Sequence, residues 1–162
     1  MLHFQRTLRS MLLVVAPLFT LSCSTPGQTP TSSSQQDDMA SVRMAIDAHW
    51  AAINAASSTS NPHTADITMF MPQFEGRFGE NSEEMRQLIA GGKPPIPLVL
   101  RDVQIQILGN GSAVATFFQD GSFWTQDGRE DRRPRRVTEV WVKLNDRWIE
   151  AHHHDSVYAP LQ

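Results

Sequence analysis

Arg136-Val137-Thr138-Glu139-Val140-Trp141-Val142-Lys143-Leu144, then Asn145-Asp146, then Arg147-Trp148-Ile149-Glu150-Ala151-His152-His153-His154-Asp155-Ser156-Val157 is the stretch that decides the fold. Two runs rich in β-branched and aromatic residues flank a two-residue turn signal, which is the pattern of a hairpin with long arms. Side chains alternate along a strand. Val137, Glu139, Trp141 and Lys143 therefore share a face of the first arm. In the second arm, Trp148, Glu150, His152, His154 and Ser156 are expected on one face, and Ile149, Ala151, His153, Asp155 and Val157 on the other.

Upstream of this hairpin the same period continues. Val103, Ile105 and Ile107 alternate with polar residues, and Gly109-Asn110-Gly111 is a strong hairpin turn. A strand is expected from Ala113 to Trp124, with Gly121 as a bulge. Gln126-Asp127-Gly128 turns the chain into Arg136. These runs predict a four-strand antiparallel meander from Leu98 to Val157. Before it the period changes to that of a helix. Met39, Val42, Ile46, His49, Trp50 and Ile53 recur at three- and four-residue steps behind Asp37-Asp38, either of which can cap. Ser57-Ser58-Thr59-Ser60-Asn61-Pro62 stops that helix. Ile67–Met71 reads as a short strand or a helical turn. Asn81 with Glu84 resembles a capping box for a second helix ending at Gly91-Gly92. Helices first and strands afterwards predict an α+β fold, with helices on one face of a curved, mainly antiparallel sheet.

The final hairpin resembles that of SnoaL-like domains in the nuclear transport factor 2-like superfamily. It is particularly similar to the association domain of calcium/calmodulin-dependent protein kinase. That domain ends in a Thr-containing strand, a Val-Trp pair, a turn, a Trp and a His-x-His-x-Ser segment, positions held here by His152, His154 and Ser156. The resemblance spans about Asp38 to Pro160. It implies a cone in which a bent sheet wraps helices around a pocket, and a homo-oligomer, commonly a dimer packed sheet to sheet. It also brings two classes of function. One is binding or assembly. The other is cofactor-independent isomerase, dehydratase or hydrolase chemistry by general acid/base groups in the cone.

The N-terminus reads as an export signal. Arg6 and Arg9 precede an apolar run from Met11 to Leu21, too short to span a bilayer as a stable helix. Thr20-Leu21-Ser22-Cys23 resembles a lipobox, with Cys23 as the lipidated residue. Residues 1–22 are thus expected to be a signal peptide, and 23–36 a lipidated cysteine with a flexible tether. Residues 37–162 form the domain. Cys23 is the sole cysteine of the chain, so no internal disulfide can form. Ser24–Gln36 carries no bulky apolar residue to offset the entropy of ordering. The expected location is a cell membrane or outer membrane, with the domain facing periplasm or exterior. In a two-membrane cell, Ser24 rather than Asp after the cysteine points to the outer one.

The net charge of −3, more negative without Arg6 and Arg9, gives no general reason to expect nucleic acid. Candidates for chemistry lie mostly in the last two strands. Glu139, Glu150, His152, His154 and Asp155 are the groups available for proton transfer, and none matches a characterised dyad. Consecutive histidines invite a metal, yet on a strand His153 points away from its neighbours. Only His152 and His154 can then share an ion, with His49 or His63 as an unsupported third ligand, so neither a metal nor a cofactor is expected. In the basic run Arg129, Arg132, Arg133, Arg135 and Arg136, the last is placed to reach the pocket and grip a carboxylate. Trp50, Trp141, His152, His154 and Arg136 are the expected ligand contacts. A small apolar or carboxylate ligand is the expected occupant. The preferred reading is a non-enzymatic envelope lipoprotein that binds such a ligand or self-assembles.

Overall fold

Helix α1 (Ser33–Asn54) lies on the sheet through the stripe Val42, Ile46, His49 and Trp50. In the computed structural model, residues 32–57, 63–92, 94–125 and 127–158 are described. The expected signal peptide, Cys23 and most of the tether lie outside the described residues, as does most of the Ser57–Pro62 stop. The helix begins a turn earlier than Asp37-Asp38 because Ser32 caps it, its side chain accepting from the Gln35 N–H. It ends where Ala56 adopts φ 51° and Ser57 N–H bonds back to Ala52 O at 2.9 Å. Three side-chain ties hold it on the sheet. Trp148 Nε1 donates to Ser41 Oγ at 2.8 Å, Lys143 pairs with Asp38 at 2.9 Å, and Asn54 bonds both backbone groups of Leu98.

Strand β1 (His63–Phe70) follows, then helix α2 (Glu83–Ala90), capped by Ser82 rather than by Asn81. Strands β2 (Val99–Gly109), β3 (Ser112–Asp120), β6 (Arg135–Leu144) and β7 (Arg147–Val157) form the expected antiparallel meander. Strand β1 adds to its far edge, parallel to β7, giving the order β1-β7-β6-β3-β2. The strand expected to continue through Gly121 instead stops at Asp120. Gly121 sits at φ 120° with its α-carbon against Pro97 and Leu98, a conformation and a closeness that exclude a side chain. Beyond it, β4 (Phe123–Trp124) pairs with β5 (Glu130–Asp131) as a separate two-stranded ribbon.

The core lies between α1 and the concave sheet face: Val42, Ile46 and Trp50 meet Ala113, Ala115, Phe117, Val137 and Trp141. Each large side chain among these contributes roughly 1.5–3 kcal/mol by leaving water.

One irregularity decides which side chains reach the interior. Val140 pairs with His152, but the next residue, Trp141, pairs with Glu150, so Ala151 is an extra residue in β7. This bulge reverses the alternation. Trp148 and Glu150 point inward before it; His153 and Asp155 do so after it. The expectation that His152, His154 and Ser156 share the face of Glu150 is therefore corrected. They lie on the outer face, opposite Val140, Thr138 and Arg136.

Candidate functional site

The mouth of the cone opens into a cavity of about 950 Å³ between α1, α2, β1 and the β4–β5 ribbon. Its walls are apolar: Ile53, Met69, Met71, Phe74, Met85 and Leu88. Methionine thioethers are flexible and polarisable, so this wall adapts to ligand shape. The floor is polar and consists of His49, His63, Glu150 and His153. No Lys or Arg lines it among the described residues.

Four elements deliver the floor. Helix α1 supplies His49, the start of β1 His63, and β7 both Glu150 and His153 on either side of the bulge. Strand β6 supplies Glu139 beneath them. Glu150 Oε1 accepts from His153 Nδ1 at 3.0 Å. Its other oxygen, Oε2, lies 3.2 Å from His63 Nε2 and 3.6 Å from His49 Nε2. His63 Nδ1 in turn donates to Glu80 Oε2 at 2.7 Å. Glu139 is fully buried and accepts two indole hydrogen bonds, from Trp50 Nε1 at 3.0 Å and Trp141 Nε1 at 2.8 Å.

Burial and mutual charge set the protonation pattern. Burial pushes His49 down to about 4, with Glu150 opposing and the other two histidines assisting. Burial also disfavours a charged His63, but its contacts with Glu150 and Glu80 outweigh that and raise it. His153 is raised well above its ordinary value against the cost of burial, because Glu139 and Glu150 both face it. Glu150 is held down by His153 and His63 despite its burial. Glu139 is pushed up by burial and by repulsion from Glu150. The floor is thus an ionised Glu150 between two histidines that favour their charged form and a third, His49, that is neutral. Such a set can exchange a proton, bind a polar ligand group or hold a cation.

Several expected contacts lie elsewhere. His152 and His154 are outside the cavity. His152 Nδ1 shares a 2.7 Å hydrogen bond with Thr68 Oγ1, and both rings stand edge-on to Phe70. Arg136 is also outside, 5.4 Å from the Tyr158 ring. It is Arg135 that points inward, fully buried, bonding Asp155, Gln73 and Asp131 and lying 3.8 Å over Phe123. The alternation of Val137, Glu139 and Trp141 already requires this, since Arg135 shares their parity and Arg136 does not. Arg129, Arg132 and Arg133 form ion pairs within their own loop, with Asp127, Glu130 and Asp131. Of the other expected site residues, Trp50 and Glu150 line the cavity, while Trp141 and Glu139 do not. His49, His63, Glu80 and His153 are the members that the sequence reading did not assemble. Of these, the sequence singled out only His49, on the apolar stripe of α1, and His63, each as an unsupported third ligand to a metal on His152 and His154.

A long helix cradled by a bent sheet, with a pocket at the open end, is the architecture of the nuclear transport factor 2-like superfamily. Within it, a model of the "Calcium/calmodulin dependent protein kinase II association domain" family matches residues 36–159, and the chain belongs to that family. Among solved structures, the association domain of Caenorhabditis elegans calcium/calmodulin-dependent protein kinase II is 19% identical, with a TM-score of 0.55, covering 77% of this chain and 96% of that one. An uncharacterised protein with a cystatin-like fold from Caulobacter vibrioides is 18% identical, with a TM-score of 0.60 and coverage of 76% and 92%. A nuclear transport factor 2-like protein from Novosphingobium aromaticivorans is 12% identical, with a TM-score of 0.56 and coverage of 79% and 86%. At these identities the likeness is one of fold. No curated protein matches the chain.

Proposed function

We propose that the protein is an exported, lipid-anchored envelope protein whose domain binds a small, largely apolar ligand carrying one polar group. The observation that carries this reading is the cavity, with largely apolar walls and its ionisable groups, His49, His63, Glu150 and His153, gathered at the floor. Walls of this kind bury the body of a ligand, and one polar end fixes its orientation. With Glu150 ionised at that end and no Lys or Arg beside it among the described residues, a hydroxyl or carbonyl group fits better than a carboxylate. The lipobox-like Thr20–Cys23 supports the anchor. Phe70, Val114, Phe118 and Val142, on the outer sheet face, support a homodimer joined sheet to sheet.

A second reading is an isomerase or dehydratase without a cofactor. It is favoured by a buried carboxylate, Glu150, hydrogen-bonded to His153 at the cavity floor, which is the arrangement a proton shuttle needs.

Native mass spectrometry of the chain from Ser24 onward tests the first reading. A dimer carrying one small adduct per subunit supports it. Ligand-free protein that also takes up no apolar alcohol or ketone from a panel counts against it. Turnover of any such compound that is lost in Glu150→Gln moves the assignment to the second.

A further inference from the structure

We propose that His49, His63 and Glu150 form a binding site for a divalent first-row transition-metal ion at the floor of the cavity. The site does not depend on the ligand reading above, since it is defined by these side chains alone.

The three residues each present one ligand atom, and these atoms lie within 4.8 Å of one another. Glu150 Oε2 is the shared point, 3.2 Å from His63 Nε2 and 3.6 Å from His49 Nε2. An ion with bonds of about 2.1 Å sets adjacent ligand atoms roughly 3.0–3.5 Å apart in octahedral or tetrahedral geometry, so the set needs little adjustment to close on one. Two histidines and one carboxylate are also the ligand set of open, three-residue metal sites, which leave the remaining positions to water or substrate. Here those positions face the cavity.

The surroundings of His63 and Glu150 match what such ligands require. Metal-bound histidines are held by a hydrogen bond from the other ring nitrogen, often to a carboxylate. His63 Nδ1 has this bond, to Glu80 Oε2 at 2.7 Å. That leaves Nε2 as the ligand atom, and Nε2 is the nitrogen facing Glu150. Glu150 is oriented in the same way, its Oε1 accepting from His153 Nδ1 at 3.0 Å while Oε2 faces His63 Nε2 and His49 Nε2. His49 has no such bond, its Nδ1 being buried without a partner, and its ring is held by edge contacts with Trp50, His63 and Trp141. Binding an ion there releases the proton that His63 shares with Glu150, because a metal-bound imidazole is neutral.

The overlapping trio Glu139, Glu150 and His153 is a poorer site. Both oxygens of Glu139 are already engaged by indole N–H groups.

The test is titration of the purified full chain, stripped with chelator, with Zn2+ by calorimetry and with Co2+ by visible absorption. One ion per chain is expected, and the Co2+ spectrum should show nitrogen and oxygen ligation. His49→Phe, His63→Asn and Glu150→Gln should each weaken binding at least about 100-fold. Glu80→Gln should weaken it about 10- to 100-fold, the usual effect of losing an outer hydrogen bond. His152→Asn with His154→Asn, on the outer face, should leave the affinity unchanged. Circular dichroism establishes that each variant is folded, and the wild-type Co2+ spectrum stands whether or not the variants fold. The proposal is overturned if the wild-type chain binds no ion at 0.1 mM Zn2+ (about 100 μM), or if binding survives the three ligand variants, or if it is lost instead with His152 and His154.

Discussion

Lowering the pH from 7 to 5 should destabilise this domain through His49, and the replacement His49→Phe should remove that sensitivity. His49 is only 6% exposed, and burial carries it from the ordinary 6.5 to about 4. Because the folded value lies below the unfolded one, the unfolded chain takes up the proton first. The contribution is therefore present above pH 6.5 and is lost as the pH falls towards 4. Its full size is about 3 kcal/mol, of which about 2 kcal/mol is gone between pH 7 and pH 5. That is a large part of a typical domain stability of roughly 5–15 kcal/mol. The neighbouring groups do not mimic it in this window. His63 and His153 are raised, so their stabilisation is present below pH 6.5 and is lost as the pH rises through their folded values. Glu150 is lowered, and its stabilisation fades only on passing below the ordinary carboxylate range. Phenylalanine keeps the edge contacts that the imidazole makes with Trp50 and Trp141 at 5.3 and 6.2 Å. Urea unfolding of both proteins at pH 7 and pH 5, in chelator, gives the double difference directly. The wild-type chain should lose about 2 kcal/mol more than the variant. Equal losses would refute the assignment of a buried, neutral His49.

Glu139→Leu should destabilise the domain by about 1–3 kcal/mol for each of the two indole N–H groups it leaves buried without an acceptor, measurable as a lower urea midpoint. Gly121→Ala should cost roughly 1–3 kcal/mol or more, because its φ is 120° and a β-carbon would stand 2.7 Å from Pro97 O. A comparable substitution at Gly128, whose β-carbon would meet nothing, serves as the control for backbone strain without a clash. Cys23→Ser should move the protein from the membrane fraction to the soluble fraction and abolish incorporation of labelled palmitate. Unchanged fractionation would leave the lipobox reading without support.

How much of this site can be read from the sequence depends on the range of the interaction that forms it. Strand periods, hairpin turns and the α1 stripe are local, and each was legible: Val42, Ile46, His49 and Trp50 recur at helical spacing, and Val137, Glu139 and Trp141 at strand spacing. Helix starts were less so, because Ser32 and Ser82 compete with nearby Asp and Asn residues of similar capping strength. The partnership of β1 with β7 joins residues more than eighty positions apart, as in Thr68 and His152, and no local pattern encodes it. The decisive miss was a single residue. Ala151 has nothing in its side chain to mark a bulge, yet its insertion exchanges the two faces of β7 beyond it. With strict alternation, His152 and His154 would enter the pocket, and a metal would find only a pair. With the bulge, His153 turns in beside Glu150, and the parallel pairing brings His63 to the same carboxylate. The final strand carried the resemblance to the family, but the chemistry at its centre is set by where that strand breaks its own rule.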